Sequence, residues 1–287
     1  MPARVWHALA GLIVLLLAAV VGLDQWQARR GEASLFGMSW PRGSGGSPPR
    51  AEPRPSLGEP ALASPRGGPR VAVIVDEMGG RRDVFDSLRE LARPVTLALL
   101  PGLPLSPSMA RESSRSGMEA LLDLPMEPYR YPQMDPGPGA LLMSTPNDEI
   151  RRLVGRHLEA LPGVVGVTNH MGSRLTEDRA RMRTLLEVLA ARRLFLVDAY
   201  TSNLSVAYDE ARELGLRAAR RQIAVDSDRG DEAERAGWGE VAAWAERRGE
   251  VIVIAHGRPL TARLLREHIA RWEARGLRVV PVSELVH

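Results

Sequence analysis

VAVIVDEMGG, residues 71–80, is a run of five apolar residues that ends at two adjacent acids and a glycine pair. A short apolar run with β-branched residues and a glycine boundary predicts a buried strand. Similar runs recur along the rest of the chain and alternate with segments of helical spacing. This alternation predicts a mainly parallel sheet with helices packed outside it.

The pattern continues from residue 71 to residue 287 with no internal repeat at a fixed period. Seven or eight β/α units in a segment of this length favour a single, distorted β/α barrel over two domains. The predicted helices are 81–92, 146–161, 178–192, 231–248 and 260–274. The predicted strands are 71–76, 95–100, 119–124, 164–169, 194–198, 222–226, 251–255 and 277–282. The proline-rich segment 125–145 is a long loop, of the kind that often shapes a substrate groove at a barrel mouth.

The amino-acid composition of the chain excludes several kinds of chemistry. The 287 residues contain no lysine and no cysteine. Schiff-base chemistry, a P-loop lysine, thiol nucleophiles, cysteine metal sites and disulfides are therefore excluded. Catalysis by this chain has to use carboxylates, histidines, hydroxyls or arginine.

The sequence pI of about 9.9 does not indicate nucleic-acid binding. Eight arginines and four acids lie in residues 1–70, which leaves thirty arginines and thirty-one acids for the remainder. Aromatic residues make up 5% of the chain, so the basic stripe with stacking residues typical of nucleic-acid binding is missing.

The N-terminal segment 1–23 carries an apolar run from Val5 to Leu23. Nineteen residues at about 1.5 Å rise approach the thickness of a bilayer core, so we expect a single-pass membrane helix. Its length favours an uncleaved anchor over a cleaved signal peptide. Residues 24–70 are rich in proline and glycine and predict a flexible linker. We expect the inner membrane as the location, with the domain in the periplasm or otherwise outside the cytoplasm.

Several predicted strands end in a residue that can bind a metal or move a proton. In a β/α barrel these ends converge on one face, so such residues can share a pocket. They are Asp76 and Glu77, His170, Asp198, Asp226 and His256.

Other interpretations stay open for these residues. Asp226 is equally well explained as a helix cap or turn residue. His170 and His256 could be histidines satisfied within a core. A Ser-His-Asp triad would need Ser173, Ser202 or Ser205, but none of these lies in a G-x-S-x-G elbow. The sequence also lacks the G-x-G-x-x-G pattern of a dinucleotide site after its first strand.

Two further histidines, His157 and His268, lie on predicted helices among charged residues. We predict that both are solvated. Carboxylates and imidazoles at one barrel mouth, without thiols, suit a divalent metal such as zinc. Metals of this kind activate water as a nucleophile.

The motifs at these positions resemble the divergent polysaccharide deacetylase family, whose fold is a β/α barrel. The resemblance runs through nearly all of residues 71–287 and is most specific at PMEP and NHMGS. Its other parts include VIVDEMG at 73–79, FLVDAYTSNLS at 195–205 and IAHGRPLT at 254–261.

The resemblance implies metal-dependent removal of acetyl groups from a glycan. Carried onto this chain, Asp76 is the base, Glu77 and His170 hold the metal, and Asp198 completes or supports the coordination. His256 is the acid that protonates the leaving group.

This chain departs from the family pattern at two of these motifs. Glu77 replaces the usual aspartate, and Asp198-Ala199-Tyr200-Thr201 replaces DSRT and so loses an arginine. It also lacks the H-x-x-x-H pair of the wider deacetylases. A second hypothesis therefore stays open: an envelope protein without catalysis that uses the same barrel to bind a glycan or a protein.

Overall fold

The computed structural model describes residues 67–225 and 231–287. The predicted anchor, nearly all of the predicted linker, and Asp226 lie outside these residues. Within the described ranges, no helix is long and apolar enough to cross a membrane.

Within residues 67–225 and 231–287, nine parallel strands form one curled sheet, a half-barrel that agrees with the predicted α/β class. The sheet order is β6-β5-β4-β3-β2-β1-β8-β7, with β9 paired to the start of β1. The strands are β1 (Arg70–Met78), β2 (Thr96–Leu99), β3 (Ala120–Met126), β4 (Gly166–Met171), β5 (Phe195–Asp198), β6 (Ala218–Arg220), β7 (Ile223–Ala224), β8 (Glu250–His256) and β9 (Arg278–Val279).

In the part of the chain that the structure describes, seven α-helices connect the strands, and two short 3-10 turns lie at Leu175–Glu177 and Val282–Leu285. The helices are α1 (Arg82–Arg89), α2 (Ser106–Ser116), α3 (Asn147–Ala160), α4 (Arg179–Ala191), α5 (Ala207–Glu213), α6 (Asp231–Arg248) and α7 (Pro259–Ala274).

The two outer strands of the sheet, β6 and β7, follow one another in the chain. Arg221 and Gln222 join them, and their backbone amides donate to Asp198 O on one side and Ile252 O on the other. The Gln222 side chain accepts from Ile252 N at 2.6 Å. A two-residue crossing therefore brings the edges of the curled sheet together.

Each strand divides its apolar side chains between two cores because successive side chains point to opposite faces. Val71, Val73 and Val75 of β1 belong to the large outer core that includes buried helix residues. Ala72 and Ile74 belong to a smaller core on the inner face of the curl. The same alternation recurs on β3, β5 and β8.

The C-terminal segment completes the inner core. Val280, Val282, Leu285 and Val286 are buried there with the inner residues of the strands. The Val282 amide donates to Thr96 Oγ1 at 3.2 Å, which ties the segment to the start of β2. The N-terminal end of the half-barrel is thereby filled, and the opposite end carries the polar residues described below.

The eight predicted strands all overlap observed strands, and the five predicted helices correspond to α1, α3, α4, α6 and α7. The predicted strand 222–226 shortens to Ile223–Ala224. Strand β6 was not predicted, because Ala218–Arg220 is too short to carry an alternating pattern.

Candidate active site

Two adjacent acids at the end of β1 reach the same site because the strand is irregular there. Neighbouring side chains of a regular strand point to opposite faces, but the β1–β2 register shifts between Val75 and Met78. Glu77 lies in this irregularity with a φ of 54°, a left-handed conformation that is uncommon for a residue other than glycine. The extra residue lets both carboxylates reach the inner histidines, as a bulge beside an active site often does.

Asp76 and His256 form the closest polar pair of this cluster. They are paired in register on β1 and β8. Each lies two residues after an inner-core isoleucine, Ile74 or Ile254, and so points to the inner face. His256 Nδ1 lies 2.8 Å from Asp76 Oδ1. His256 Nε2 lies 3.8 Å from Glu77 Oε1, so the imidazole lies between the two acids.

His170 extends from the inner face of β4 toward the same group. Its Nδ1 lies 3.7 Å from Glu77 Oε1 and 3.9 Å from Asp123 Oδ2. Burial lowers the pKa of the imidazole below its usual value, although the negative charges of Glu77 and Asp76 oppose that effect. A lowered pKa favours the neutral ring, which is the form that binds metal ions.

Asp123 is a fifth member of the cluster, and the sequence analysis missed it. It lies on the inner face of β3 and is fully buried. Its Oδ2 accepts the Glu77 backbone amide at 3.1 Å, while Oδ1 has no hydrogen-bond partner among the described residues. Burial, followed by the charge on Asp76, raises the pKa of this carboxyl well above its usual range.

The cluster grades from a buried floor to an open rim. The side chains of Asp123, His170 and Asp76 are 0%, 10% and 13% exposed. Glu77 and His256 are 38% and 43% exposed. A substrate would therefore meet the glutamate and the second histidine first.

The structure does not bring Asp198 together with the other predicted site residues. Asp198 lies two residues after Leu196 on β5 and therefore points to the same face of the sheet, the outer one. Its carboxylate accepts from Tyr200 N at 2.8 Å and from Ser205 Oγ at 3.0 Å, and it lies 3.5 Å from the Arg220 guanidinium. These contacts hold the loop after β5 and the end of β6.

The serines considered for a triad have other contacts. Ser205 bonds Asp198, Ser202 bonds Glu177, and the Ser173 hydroxyl accepts the Tyr129 amide. His268 is not solvated as predicted. It is half-buried between Trp238 and Trp272, with ring centroids 6.2 and 5.9 Å away.

Left-handed backbone marks three strand ends on this side of the sheet. Glu77, Met171 and Tyr200 have φ values of 54°, 53° and 50°. Each directly follows an inner-face position at the end of β1, β4 or β5. Backbone strain of this kind costs of order 1–3 kcal/mol per residue and concentrates at functional sites.

The donor types at the cluster fit a divalent metal of the zinc class, because they are carboxylate oxygens and a neutral imidazole nitrogen. Glu77 and His170 face each other across 3.7 Å, whereas two ligands of a tetrahedral zinc ion are about 3.4 Å apart. As they stand, no three His, Asp or Glu side chains among residues 67–225 and 231–287 are arranged to hold an ion. Binding would require these two residues to draw closer by a few tenths of an ångström.

A family comparison covers nearly all of the described residues. The model of the divergent polysaccharide deacetylases matches residues 73–286. The chain belongs to the divergent polysaccharide deacetylase family. The resemblance in the motifs is therefore confirmed, and the match covers the curled sheet and its helices from β1 to the C-terminal turn.

Curated relatives of this deacetylase-family chain have no stated activity. The uncharacterized protein YibQ of Escherichia coli K12 is 27% identical over 200 residues, which are 70% of this chain and 62% of YibQ. An uncharacterized protein of Haemophilus influenzae is 26% identical over 196 residues, which cover 68% of this chain and 69% of that protein. The matched region thus spans less than two thirds of YibQ.

Solved structures support the deacetylase-family fold. The crystal structure of an uncharacterized protein from Agrobacterium tumefaciens C58 has a TM-score of 0.71 at 23% identity, covering 79% of this chain and 92% of that chain. A deacetylase solved with substrate has a TM-score of 0.50 at 14% identity, covering 76% of this chain and 90% of that chain. At these identities the likeness shows a shared fold.

Proposed function

We propose that this protein is a metal-dependent hydrolase that removes acetyl groups from a glycan in the cell envelope. The observation that supports the proposal is the meeting of Asp76, Glu77, Asp123, His170 and His256, from four strands, at one end of the curled sheet. These five groups combine proton-transfer and metal-binding chemistry, with neighbouring polar atoms between 2.8 and 3.9 Å apart.

Glu77 and His170 are the residues that would hold the metal. A bound divalent metal would supply Lewis-acid polarisation of the acetyl carbonyl and favour the ionised form of the attacking water. Asp123 supports this pair from below, because its carboxylate accepts the Glu77 amide and fixes the left-handed turn.

Asp76 and His256 move the proton. With Nδ1–H donated to Asp76, Nε2 of the 43% exposed His256 would take a proton from the attacking water. The water oxygen then bonds the acetyl carbon. Nε2 returns the proton to the glycan nitrogen or oxygen as the bond from that atom to the acetyl carbon breaks, and acetate leaves. This contact favours Asp76 as the partner that orients His256, rather than as the base implied by the family resemblance.

The test is metal analysis of the purified full chain, followed by acetate release from acetylated glycans. We expect stoichiometric metal and acetate release in the wild type, and the loss of both in His170→Ala. His157→Ala is the matched control, because His157 lies on α3, outside the cluster, where its ring bonds Gly139 O. The proposal would be overturned, in favour of a barrel without catalysis, if the purified protein held no metal and His170→Ala left acetate release unchanged.

The apolar run Val5 to Leu23 supports a location at the inner membrane, with the deacetylase domain in the periplasm. Protease added to spheroplasts is the direct test. We expect loss of the domain while the short N-terminal segment stays with the membrane. Protection until the membrane is lysed would overturn this location.

A further inference from the structure

Exposed arginines lie at the end of the curled sheet opposite the cluster. Because the strands are all parallel, the segments that lead into them lie together at this end. Arg115 is in the last turn of α2 before β3, whereas Arg192 and Arg193 lie between α4 and β5. All three are exposed, and none forms an ion pair with a described residue. Arg193 has a φ of 58°, at a helix end where glycine is the usual residue. Neither ion pairing nor backbone preference therefore explains the Arg192–Arg193 pair.

An exposed valine lies between these two groups of arginines. β4 is the neighbour of both β3 and β5 in the sheet, and Val165 directly precedes β4. The amide of Val165, which is 37% exposed, donates to Ala120 O at 2.9 Å, where β3 begins. A Cβ atom on Gly163 would come within 3.1 Å of Ser114 Cβ, so the same loop also packs against the end of α2. We call Arg115, Val165, Arg192 and Arg193 the basic patch.

An apolar groove of about 220 Å³ adjoins the basic patch, with Arg192 among the residues that line it. Glu159 and Gly163 also line this groove. The other lining residues are apolar: Leu158, Leu161, Val164 and Leu194. Apolar surface beside arginines is the combination that binds the headgroup region of an anionic bilayer.

Few acids oppose the arginines in the connections that lead into β3, β4 and β5. Glu119 and Glu159 are the acids that lie between the last turns of the preceding helices and these strands. Glu119 accepts the Ser283 amide at 3.1 Å and is therefore engaged with the C-terminal segment. The carboxylates of the cluster lie at the other end of the sheet. The domain thus carries a basic surface at one end and an acidic site at the other.

The point at which the chain enters the domain indicates which partner reaches the basic patch. β1 begins at Arg70, so the preceding segment joins the sheet at the end that carries the patch. That segment follows the apolar run Val5 to Leu23, for which we propose a membrane location. A tethered domain meets the bilayer at a high effective concentration, so a small charged surface is enough for contact. The patch has no aromatic side chain for stacking on a nucleic acid, and four residues are too few for a stable protein interface of about 800 Å² per partner.

We infer that the basic patch docks on the anionic phospholipid surface of the membrane. Its arginines contact the lipid phosphates, and Val165 and the groove beside it face the boundary between headgroups and acyl chains. The inference rests on the proposed membrane location and is independent of the proposed hydrolysis. Strand β1 rises by about 3.3 Å per residue from Arg70 to Asp76, so docking holds the cluster about 20 Å further from the bilayer than the start of the sheet.

The experiment measures which end of the domain approaches the lipid in the full chain reconstituted in phospholipid vesicles. The chain has no cysteine, so Val165→Cys and Leu204→Cys each provide one site for a fluorophore. Leu204 is an exposed apolar residue after β5, at the cluster end. The vesicles contain phosphatidylcholine alone or mixed with phosphatidylglycerol, and some headgroups carry a nitroxide quencher. We expect quenching at position 165 but not at position 204 in the anionic vesicles. This difference disappears in neutral vesicles and in 1 M salt, where the screening length is about 3 Å.

Charge reversal tests the arginines themselves. Each arginine near an anionic surface strengthens binding by a factor of about five, so the triple variant Arg115→Glu, Arg192→Glu and Arg193→Glu loses the quenching at position 165. The matched control makes the same change of charge at exposed arginines outside the patch, on α2, α6 and α7, and keeps the quenching. Its substitutions are Arg111→Glu, Arg235→Glu and Arg263→Glu. Circular dichroism and thermal unfolding show whether each variant is folded.

Equal quenching at the two positions in anionic vesicles overturns the docking. Quenching at position 165 that persists in the folded charge-reversed variant also overturns it, as does binding of soluble polyphosphate without quenching in anionic vesicles. A full chain that does not insert into either kind of vesicle refutes the proposed anchor. If that chain still binds anionic vesicles through the patch, the docking is supported without the anchor.

Discussion

His256 Nδ1 lies 2.8 Å from Asp76 Oδ1, and the same two residues are paired in register across β1 and β8. A carboxylate at this distance favours the tautomer that carries its proton on Nδ1, and Nε2 lies 3.8 Å from Glu77 Oε1. A hydrogen-bonded acid and imidazole of this kind can serve as one proton-transfer unit.

Asp76→Asn is expected to lower kcat by about 10²- to 10⁴-fold, because the amide can no longer hold the His256 tautomer or stabilise its charged form. Acetate release at saturating substrate measures the fall in rate. Asp83→Asn is the control, since Asp83 is an exposed acid paired with Arg81. Wild-type turnover in Asp76→Asn would remove this residue from the mechanism.

Asp123→Asn is expected to raise the free energy of unfolding at neutral pH, because burial penalises the charged form of the wild-type carboxyl and the amide carries no charge. The asparagine still offers an oxygen to the Glu77 amide. Asp123→Leu removes that acceptor, and we expect it to impair metal binding more strongly. Urea unfolding and metal titration of the two variants are the measurements. Any loss of stability in Asp123→Asn, or metal binding that Asp123→Leu leaves unchanged, would contradict this account.

Gly166→Ala is expected to destabilise the fold by about 1–3 kcal/mol, because a methyl group there overpacks the sheet. Its Cβ would come within 2.5 Å of the Phe195 ring and 2.9 Å of the Phe195 carbonyl oxygen. Gly239→Ala on α6 is the matched substitution, since a Cβ there meets nothing within 4 Å. We expect it to stabilise by roughly 0.5–1 kcal/mol, the helical gain of alanine over glycine. Equal effects of the two changes on chemical denaturation would refute the packing argument.

His268 is expected to make stability depend on pH below neutrality. Burial, followed by the charge of Arg271, lowers its pKa in the folded protein below the usual 6.5. The unfolded chain then binds the proton first as the pH falls, so the stabilisation present above pH 6.5 is lost as the pH drops through the folded pKa.

His268→Phe keeps an aromatic ring between Trp238 and Trp272 without a titratable group. Its free energy of unfolding should therefore fall less between pH 7 and pH 5 than that of the wild type. An identical pH slope in the two proteins would show that His268 does not titrate differently on folding.

The strands were predictable because runs such as VAVIV and VIVIA are apolar, β-branched and short. Four of the five predicted metal or proton-transfer residues meet because strand ends on a curled parallel sheet converge. Asp198 does not join them, since being at a strand end does not decide which face a side chain takes. The alternation of side chains along β5 puts Asp198 on the same, outer face as Leu196.

Asp123 was missed for the complementary reason. It lies inside the apolar run LLDLP rather than at its end, where attention to strand ends does not reach. Because Asp123 lies two residues after Leu121, an inner-core residue, the alternation along β3 predicts that it points to the inner face. The environment of His268 was not predictable from neighbours in sequence, because Trp238 approaches it from a different helix.

Residues 282–286 close the inner core against strands made much earlier, with Val282 and its partner Thr96 186 residues apart in the chain. During synthesis, β1 to β5 therefore leave the ribosome with their inner faces uncovered. Contacts this distant in sequence slow folding and leave apolar surface open to aggregation meanwhile. Newly made chains should thus depend on chaperones until residues 282–286 have been synthesised and cover the inner core.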